Sequence, residues 1–316
     1  MISDTRNIDS FKTSTFSNYK LTDVKSRLIH SLQVSDIHAS CYWSVELICS
    51  NHFERLWDII FYFYSTYINV SNPKGITYID KRFKSFKLLY ETNDNPFELR
   101  NHQQIRMIFC EIMVMLCLSN KLCVMNYVDV PKDDYNMTLI HTKYRAINDD
   151  YIIPYYREDD PKHMMIFFNE FVFNLKIGNC FRAYYWLEFI LGYEKILLKY
   201  KEKSTSGVRA LVQVSTSHSK DIIWIVWEII IKMAEEKGAI FKTLTTSALH
   251  LFTIKYSQTS KQSKKYLIYF AISLITSNID MNIPIFNGDM DMEIIMENTN
   301  QIYKQLIKIQ QINLLL

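Results

Sequence analysis

The chain has 316 residues, with 36 Lys+Arg against 33 Asp+Glu, six Cys and only six Gly. That length suits one large or two ordinary domains, and a formal net charge of +3 excludes a generalised polyanion binder, so any nucleic-acid surface must rest on local clusters. The glycines, none closer together than Gly178 and Gly192, exclude P-loop and dinucleotide fingerprints, while 48% apolar content excludes intrinsic disorder.

Residues 1–20 are polar, aperiodic and rich in Ser, Thr and Asn, which predicts a flexible arm, and they hold no apolar signal core. From Leu21 onward apolar residues recur at helical spacing: Val24, Leu28 and Leu32; Val45, Ile48 and Cys49; Leu56, Ile59, Ile60 and Phe63; Phe83, Phe86 and Leu89; Ile108, Ile112, Met115 and Leu116. Breakers at Ser35-Asp36, Ser50-Asn51, Asn72-Pro73 and Asn95-Pro96 separate them, and the pattern predicts a helical unit over 21–130. Over 131–163, Pro131, Pro154 and Pro161 stand among acidic residues, as an inter-domain connector would. Helical periodicity returns over 164–285 as a second unit, interrupted by a Ser/Thr-rich loop from Lys203 to Lys220. Over 286–316, Ile295, Ile302, Ile309 and Leu316 recur every seventh residue, with Thr299 and Asn313 at companion sites. This predicts an amphipathic C-terminal helix that docks either on the protein's own body or on a second copy. Asp58, Glu111 and Glu228 break the apolar runs before they reach bilayer length, and no Cys pair has CxxC spacing. The expectation is a soluble intracellular protein with reduced cysteines.

The two helical units look related. Shifted by 143 positions, Leu28, Leu32, Tyr42 and Trp43 fall on Phe171, Leu175, Tyr185 and Trp186, and Ser35-Asp36 falls on Gly178-Asn179. Further on, Leu56-Trp57-Asp58-Ile59-Ile60 matches Val226-Trp227-Glu228-Ile229-Ile230, and Leu116 with Ser119-Asn120 matches Leu274 with Ser277-Asn278. The order is kept, and the changing shift requires an insertion in the second copy, which the Lys203–Lys220 loop supplies.

Within the first copy, Ser31, Ser35, Asp36, Ala39, Tyr42 and Trp43, followed by Ile68 and Pro73, resemble the helical C-terminal region of the MgsA/RarA family of AAA+ ATPases, relatives of DNA clamp loaders. His30 and Gln33 stand where that family carries basic residues. The resemblance covers about residues 21 to 125, and the family's ATPase core is missing, so it implies a ring-forming collar module without ATP hydrolysis. The expected fold is therefore all-α: two tandem related helical-bundle units resembling clamp-loader collars. The wording of the chain also resembles uncharacterised proteins of large DNA viruses.

Other constellations invite chemistry. His38-x2-Cys41-x7-Cys49-x2-His52 has zinc-like spacing, yet on one helix Cys41 and Cys49 stand ~12 Å apart along the axis at ~1.5 Å per residue, too far for one tetrahedral ion. Lys81, Arg82, Lys84 and Lys87 flank Phe83 and Phe86, and Lys261, Lys264 and Lys265 form a second basic cluster; together they are the candidate nucleic-acid contacts, weighed against a solvated helix face. Trp43, Trp57, Trp186 and Trp227 sit in apolar stripes and are expected in the core. Asp289, Asp291 and Glu293 precede the last helix, where acids favour the positive end of its dipole. No nucleophile elbow or zinc-hydrolase signature occurs. No catalytic residue, metal, cofactor or small-molecule substrate is assigned, and no membrane association. The leading expectation is a non-enzymatic scaffold that assembles with itself or with viral DNA replication or repair proteins. The alternatives are a virion structural component and a sequence-independent DNA binder.

Overall fold

The computed structural model describes residues 2, 6, 8–93, 95, 98–122, 127–286 and 291–313, with backbone only for 292 and 309–313. Among the described residues the fold is all-α: twelve α-helices, no strand, and a single isolated bridge between Ser14 and Lys20. In chain order these are α1 (Leu21–Gln33), α2 (Ile37–Cys49), α3 (Phe53–Phe63), α4 (Gly75–Glu91), α5 (Gln103–Leu118) and α6 (Met165–Lys176). They continue with α7 (Cys180–Lys199), α8 (Ile223–Lys237), α9 (Ala239–Thr253), α10 (Gln258–Ser263), α11 (Tyr266–Thr276) and α12 (Met292–Asn313). The chain divides into two compact units, one of Met1–Cys123 with Asn282–Leu316 and the other of Val124–Met281.

In the first unit, α1 ends and α2 begins through a three-residue turn of Val34, Ser35 and Asp36. Ser35 adopts φ 60°, the Asp36 N–H donates to Ser31 O at 2.9 Å, and Asp36 Oδ1 accepts from the Ala39 N–H at 2.9 Å. With Ser35 in the left-handed region, Asp36 both closes an orphan carbonyl of α1 through its N–H and caps α2 through its side chain. The corner between α2 and α3 repeats the first half of this device: Asn51 has φ 58° and the His52 N–H donates to Leu47 O at 2.8 Å. Beyond α3 the chain runs into a π-helical turn, Tyr64–Ile68. The buried Tyr64 hydroxyl donates to Asn72 O at 2.7 Å, and its ring lies where a Cβ at Gly75 would approach within 2.6 Å. Only glycine fits there, so Gly75 sets how closely α4 starts against α3. Trp57 anchors the aromatic core, 5.1 Å from both Phe83 and Phe109 between ring centroids.

One sequence expectation is corrected here, and one that left two alternatives open is resolved. The N-terminal segment is no free arm over 8–20. Phe11 and Phe16 are buried, the Arg6 guanidinium covers both rings at 4.8 and 4.9 Å, and the Phe16 N–H donates to Ser50 Oγ at 2.7 Å. Two aromatic plugs outweigh a polar average that composition alone registers. The C-terminal helix is part of the first unit, where α12 packs on α2 and α5. Ile302, Tyr303 and Leu306 are buried, Arg106 stacks 3.8 Å over the Tyr303 ring, and Thr299 Oγ1 lies 3.3 Å from Cys110 Sγ. The heptad seam therefore docks on the chain's own body; Leu316 and the Ile309 side chain lie outside the described residues.

The second unit is organised around α11, whose residues from Tyr266 to Ile275 are all buried and which touches α6, α7, α8 and α9. A helix apolar on every side belongs at a centre. The expected connector over 131–163 is instead a wall of this unit. Ile140, Ile152 and Tyr155 are buried, and Glu170 Oε1 accepts from the Arg145 and Ala146 N–H groups at 2.7 and 2.8 Å. Its prolines and acids make short turns that wrap the helices without linking domains.

The loop before α8 is tied in by Arg209, whose side chain is fully buried. It makes two 2.6 Å hydrogen bonds to Asp160 and one of 2.9 Å to Glu228, and Gly207 N–H donates to Asp160 as well. Burial pushes the Asp160 carboxyl up, but Arg209 and the Gly207 and Arg157 N–H groups outweigh it and hold the group below its usual range. Removing the guanidinium leaves the buried Asp160 carboxylate without its cation, while Glu228 keeps Arg157 and Lys232. Arg209→Met is expected to lower stability by about 3–5 kcal/mol in urea denaturation followed by tryptophan fluorescence, against a change within ~0.5 kcal/mol for a merely solvated arginine. Phe16→Ala is expected to cost about 3–5 kcal/mol in the same assay, whereas a detached arm would leave the midpoint unmoved.

Candidate functional site

The residues that carry the family resemblance build the α1–α2 turn. Ser31 Oγ donates to Leu28 O, Ser35 Oγ donates to Cys117 O at 2.8 Å, Asp36 caps the Ala39 N–H, and Pro73 is buried in the turn before α4. The Tyr42 and Trp43 rings meet edge to face at 4.9 Å. Trp43 is only half-buried, packed on Tyr19 and under Arg27 at 5.3 and 5.2 Å, so the core position expected for it is corrected to a rim position. Lys121 Nζ donates to Ser35 Oγ and Cys117 O, at the C-terminal end of α5 where a cation suits the helix dipole.

The second unit repeats this construction. Gly178 has φ 72°, the Asn179 N–H donates to Asn174 O at 2.9 Å, and Asn179 Oδ1 accepts from the Arg182 N–H at 3.1 Å. A Cβ at Gly178 would sit 3.4 Å from Thr276 O, and Lys237 Nζ donates to Leu274, Ile275 and Ser277 carbonyls at the C-terminal end of α11. Tyr185 and Trp186 meet edge to face at 5.3 Å. Their surroundings differ from those of the first pair: Trp186 is fully buried against Phe167 and Phe189, and Tyr185 donates to Asp134 at 2.7 Å.

The two basic clusters separate. On α4, Arg82 pairs with Glu111, Lys84 with Asp80 at 2.8 Å and Lys87 with Glu91 at 3.6 Å, while Lys81 is exposed. The second cluster is not a solvated face. Lys261 is buried between Glu194 and Asp221, Lys264 is buried and donates to Ile254 O, and Lys265 pairs with Glu188 at 2.6 Å beneath Tyr127. A phosphate-tracking surface through Lys261, Lys264 and Lys265 is thereby corrected: their ammonium groups are already engaged inside the unit, Lys261 and Lys265 by carboxylates and Lys264 by a carbonyl. The zinc-like set is dispersed, with Cys41 and Cys49 buried in α2 and His52 Nε2 2.7 Å from Phe11 O. Among the described residues no group of three His, Cys, Asp or Glu side chains could hold a metal ion. Asp291 caps α12 by accepting from the Glu293 and Ile294 N–H groups, and Asp289 lies outside the described residues.

A buried charge cluster that borders a cleft surrounds Lys261. Its ammonium donates to both Glu194 oxygens at 2.9 and 2.7 Å and to Asp221 Oδ1 at 2.8 Å. Asp221 Oδ2 accepts from the Tyr256 hydroxyl at 2.8 Å and from Gln258 at 2.6 Å, and Oδ1 also accepts from the Ile223 N–H. The two acids therefore diverge. Burial pushes both up, but Lys261 and the other donors hold the Asp221 carboxyl below its usual range, whereas Glu194, paired with Lys261 alone and facing the Asp221 charge, stays above it. The cluster forms the floor of a cleft of about 200 Å³ whose lining includes Glu194, Lys203, Ser204, His218, Lys220 and Gln258. Sequence reasoning missed this site because its parts lie on α7, before α8 and on α10, and because three lysines in five positions read as surface. The available signal was Glu194 at helical spacing from Ile190, Leu191 and Leu197 on the apolar face of α7, a charge at a core position that demands a partner.

No family model, curated protein or solved structure matches this chain. Lys261→Met is expected to destabilise the protein by about 3–5 kcal/mol at neutral pH, because two buried carboxylates then face each other. The deficit shrinks as pH falls and those carboxylates protonate, so wild type and variant converge in thermal melts on the acid side. A deficit independent of pH would contradict the charge assignment.

Proposed function

We propose that this chain is a non-catalytic helical scaffold, made of two related units resembling clamp-loader collars, that mediates protein–protein assembly in viral DNA replication or repair. The observation that supports it is the shared construction of α1–α2–α5 and α6–α7–α11. In each, a left-handed residue and an Asx cap join two helices, the turn rests on the C-terminal end of a core helix, and a lysine caps that end. The turn and its seat recur in the same order, as duplication of one module would leave them, whereas the lysine follows the core helix α5 in the first unit and comes from α8, ahead of α11, in the second. The unlike burial of Trp43 and Trp186 counts against the duplication, and the reading rests on the turn and its seat instead.

The working surface of this scaffold is its hairpin tips. Val34 and Ile177 occupy equivalent places in the two turns and are 59% and 57% exposed, and Phe181, in the first turn of α7, is 65% exposed. Apolar side chains held outward at a rigid turn suit a packed interface better than an aqueous surface. At micromolar concentration, light scattering is expected to give a mass above the 37.6 kDa of one chain, falling to that value when Val34, Ile177 and Phe181 are all changed to Asp in a variant that melts like wild type. A strict single-chain mass for both proteins would contradict the scaffold.

A further inference from the structure

We propose that the cleft over Glu194 binds a small amino acid, its ammonium on the Glu194 carboxylate and its carboxylate toward Lys203 and Lys220. The floor supplies the first half of the recognition. Two carboxylates share one ammonium, which leaves one net negative charge on a buried cluster. Asp221 accepts four hydrogen bonds and has no capacity left, but Glu194, among the described residues, accepts only from Lys261, with the Lys195 charge nearby, and lines the cleft with a residue exposure of 7%. A carboxylate has about four acceptor positions. A desolvated carboxylate with spare lone pairs and uncompensated charge selects a hydrogen-bonding cation.

The rim supplies the second half. Lys203 and Lys220 are exposed and line the same cleft. They would repel a simple amine or a polyamine, and they favour a ligand whose outer end is anionic. An anion alone is disfavoured by the floor. Around them stand neutral hydrogen-bonding groups: Ser204, whose hydroxyl lies 2.9 Å from His163 Nε2, Ser217 and the Gln258 amide. A volume of about 200 Å³ falls below the ~300–1,000 Å³ of pockets for drug-sized molecules, which limits the occupant to a small zwitterion. This site goes beyond the scaffold reading and does not depend on it.

The test is calorimetric titration of the full chain with each of the twenty common amino acids, with ethylammonium and propionate as the separated halves and inorganic phosphate as a plain anion. At least one amino acid is expected to bind saturably and at least about ten-fold tighter than either half. Glu194→Gln should weaken it about ten-fold or more and abolish the ethylammonium heat. The double variant Lys203→Ala/Lys220→Ala, confined to exposed positions, should weaken the amino acid while sparing ethylammonium. That second variant keeps the proposal testable if Glu194→Gln fails to fold. Absence of saturable binding by every amino acid, tighter binding of phosphate or propionate than of any amino acid, or unchanged amino-acid affinity in the Lys203/Lys220 variant would overturn it.

Discussion

Two backbone turns govern the placement of the principal helices. Reversing a helix within three residues requires one of them in the left-handed region and an immediate acceptor for the N–H groups of the next helix. Ser35-Asp36 and Gly178-Asn179 meet that requirement. Glycine adopts φ 72° without penalty, whereas Ser35 must be held at φ 60°, and its hydroxyl's bond to Cys117 O with the Lys121 ammonium beside it supplies the hold. From these turns follow the antiparallel pairs α1–α2 and α6–α7, and from the pairs the seats filled by α5 and α11.

Charge is distributed by the same economy of position. Many of the ionised groups that look like surface in the sequence complete a helix end or neutralise a buried partner: Lys121 and Lys237 at carbonyl ends, Arg209 between Asp160 and Glu228, Lys261 between Glu194 and Asp221. Pairs this deeply buried add little net stability over an apolar replacement, but losing one member is severe. They act as registers that fix where the loop before α8 and the short α10 lie against α7. At the two hairpin tips Val34 and Ile177 stand outward among exposed polar neighbours such as Gln33, Asp36, Lys176 and Asn179, and the assembly reading rests on those two side chains and Phe181.

Helix existence was legible from apolar spacing, and so were the caps: Asp36 and Asn179 stand where a capping residue must. Trp57 and Trp227, at the middle of their stripes, are buried as expected. The failures share one cause, that long-range partners leave no local trace. Phe11 and Phe16 lie in a polar segment, and only the presence of Ser50 and Glu46 on α2 explains their anchoring. The acidic, proline-containing stretch before α6 reads as a linker until Asp160 is seen to hold Arg209. Lys261, Lys264 and Lys265 read as one patch, although a six-residue helix followed directly by a buried one turns all three toward different internal acceptors.

The most direct measurement of the central claim, that outward apolar turns carry the interaction and inward charges do not, is sedimentation of the full chain across a wide range of salt. Burial of apolar surface is insensitive to screening and strengthened by excluded salts, whereas contacts between exposed charges weaken within a Debye length of ~10 Å at 0.1 M. The account predicts an assembled species whose dissociation constant holds or tightens from low to high ionic strength. Assembly that melts away steeply as salt is raised would place the interface on the charged helix faces and contradict it.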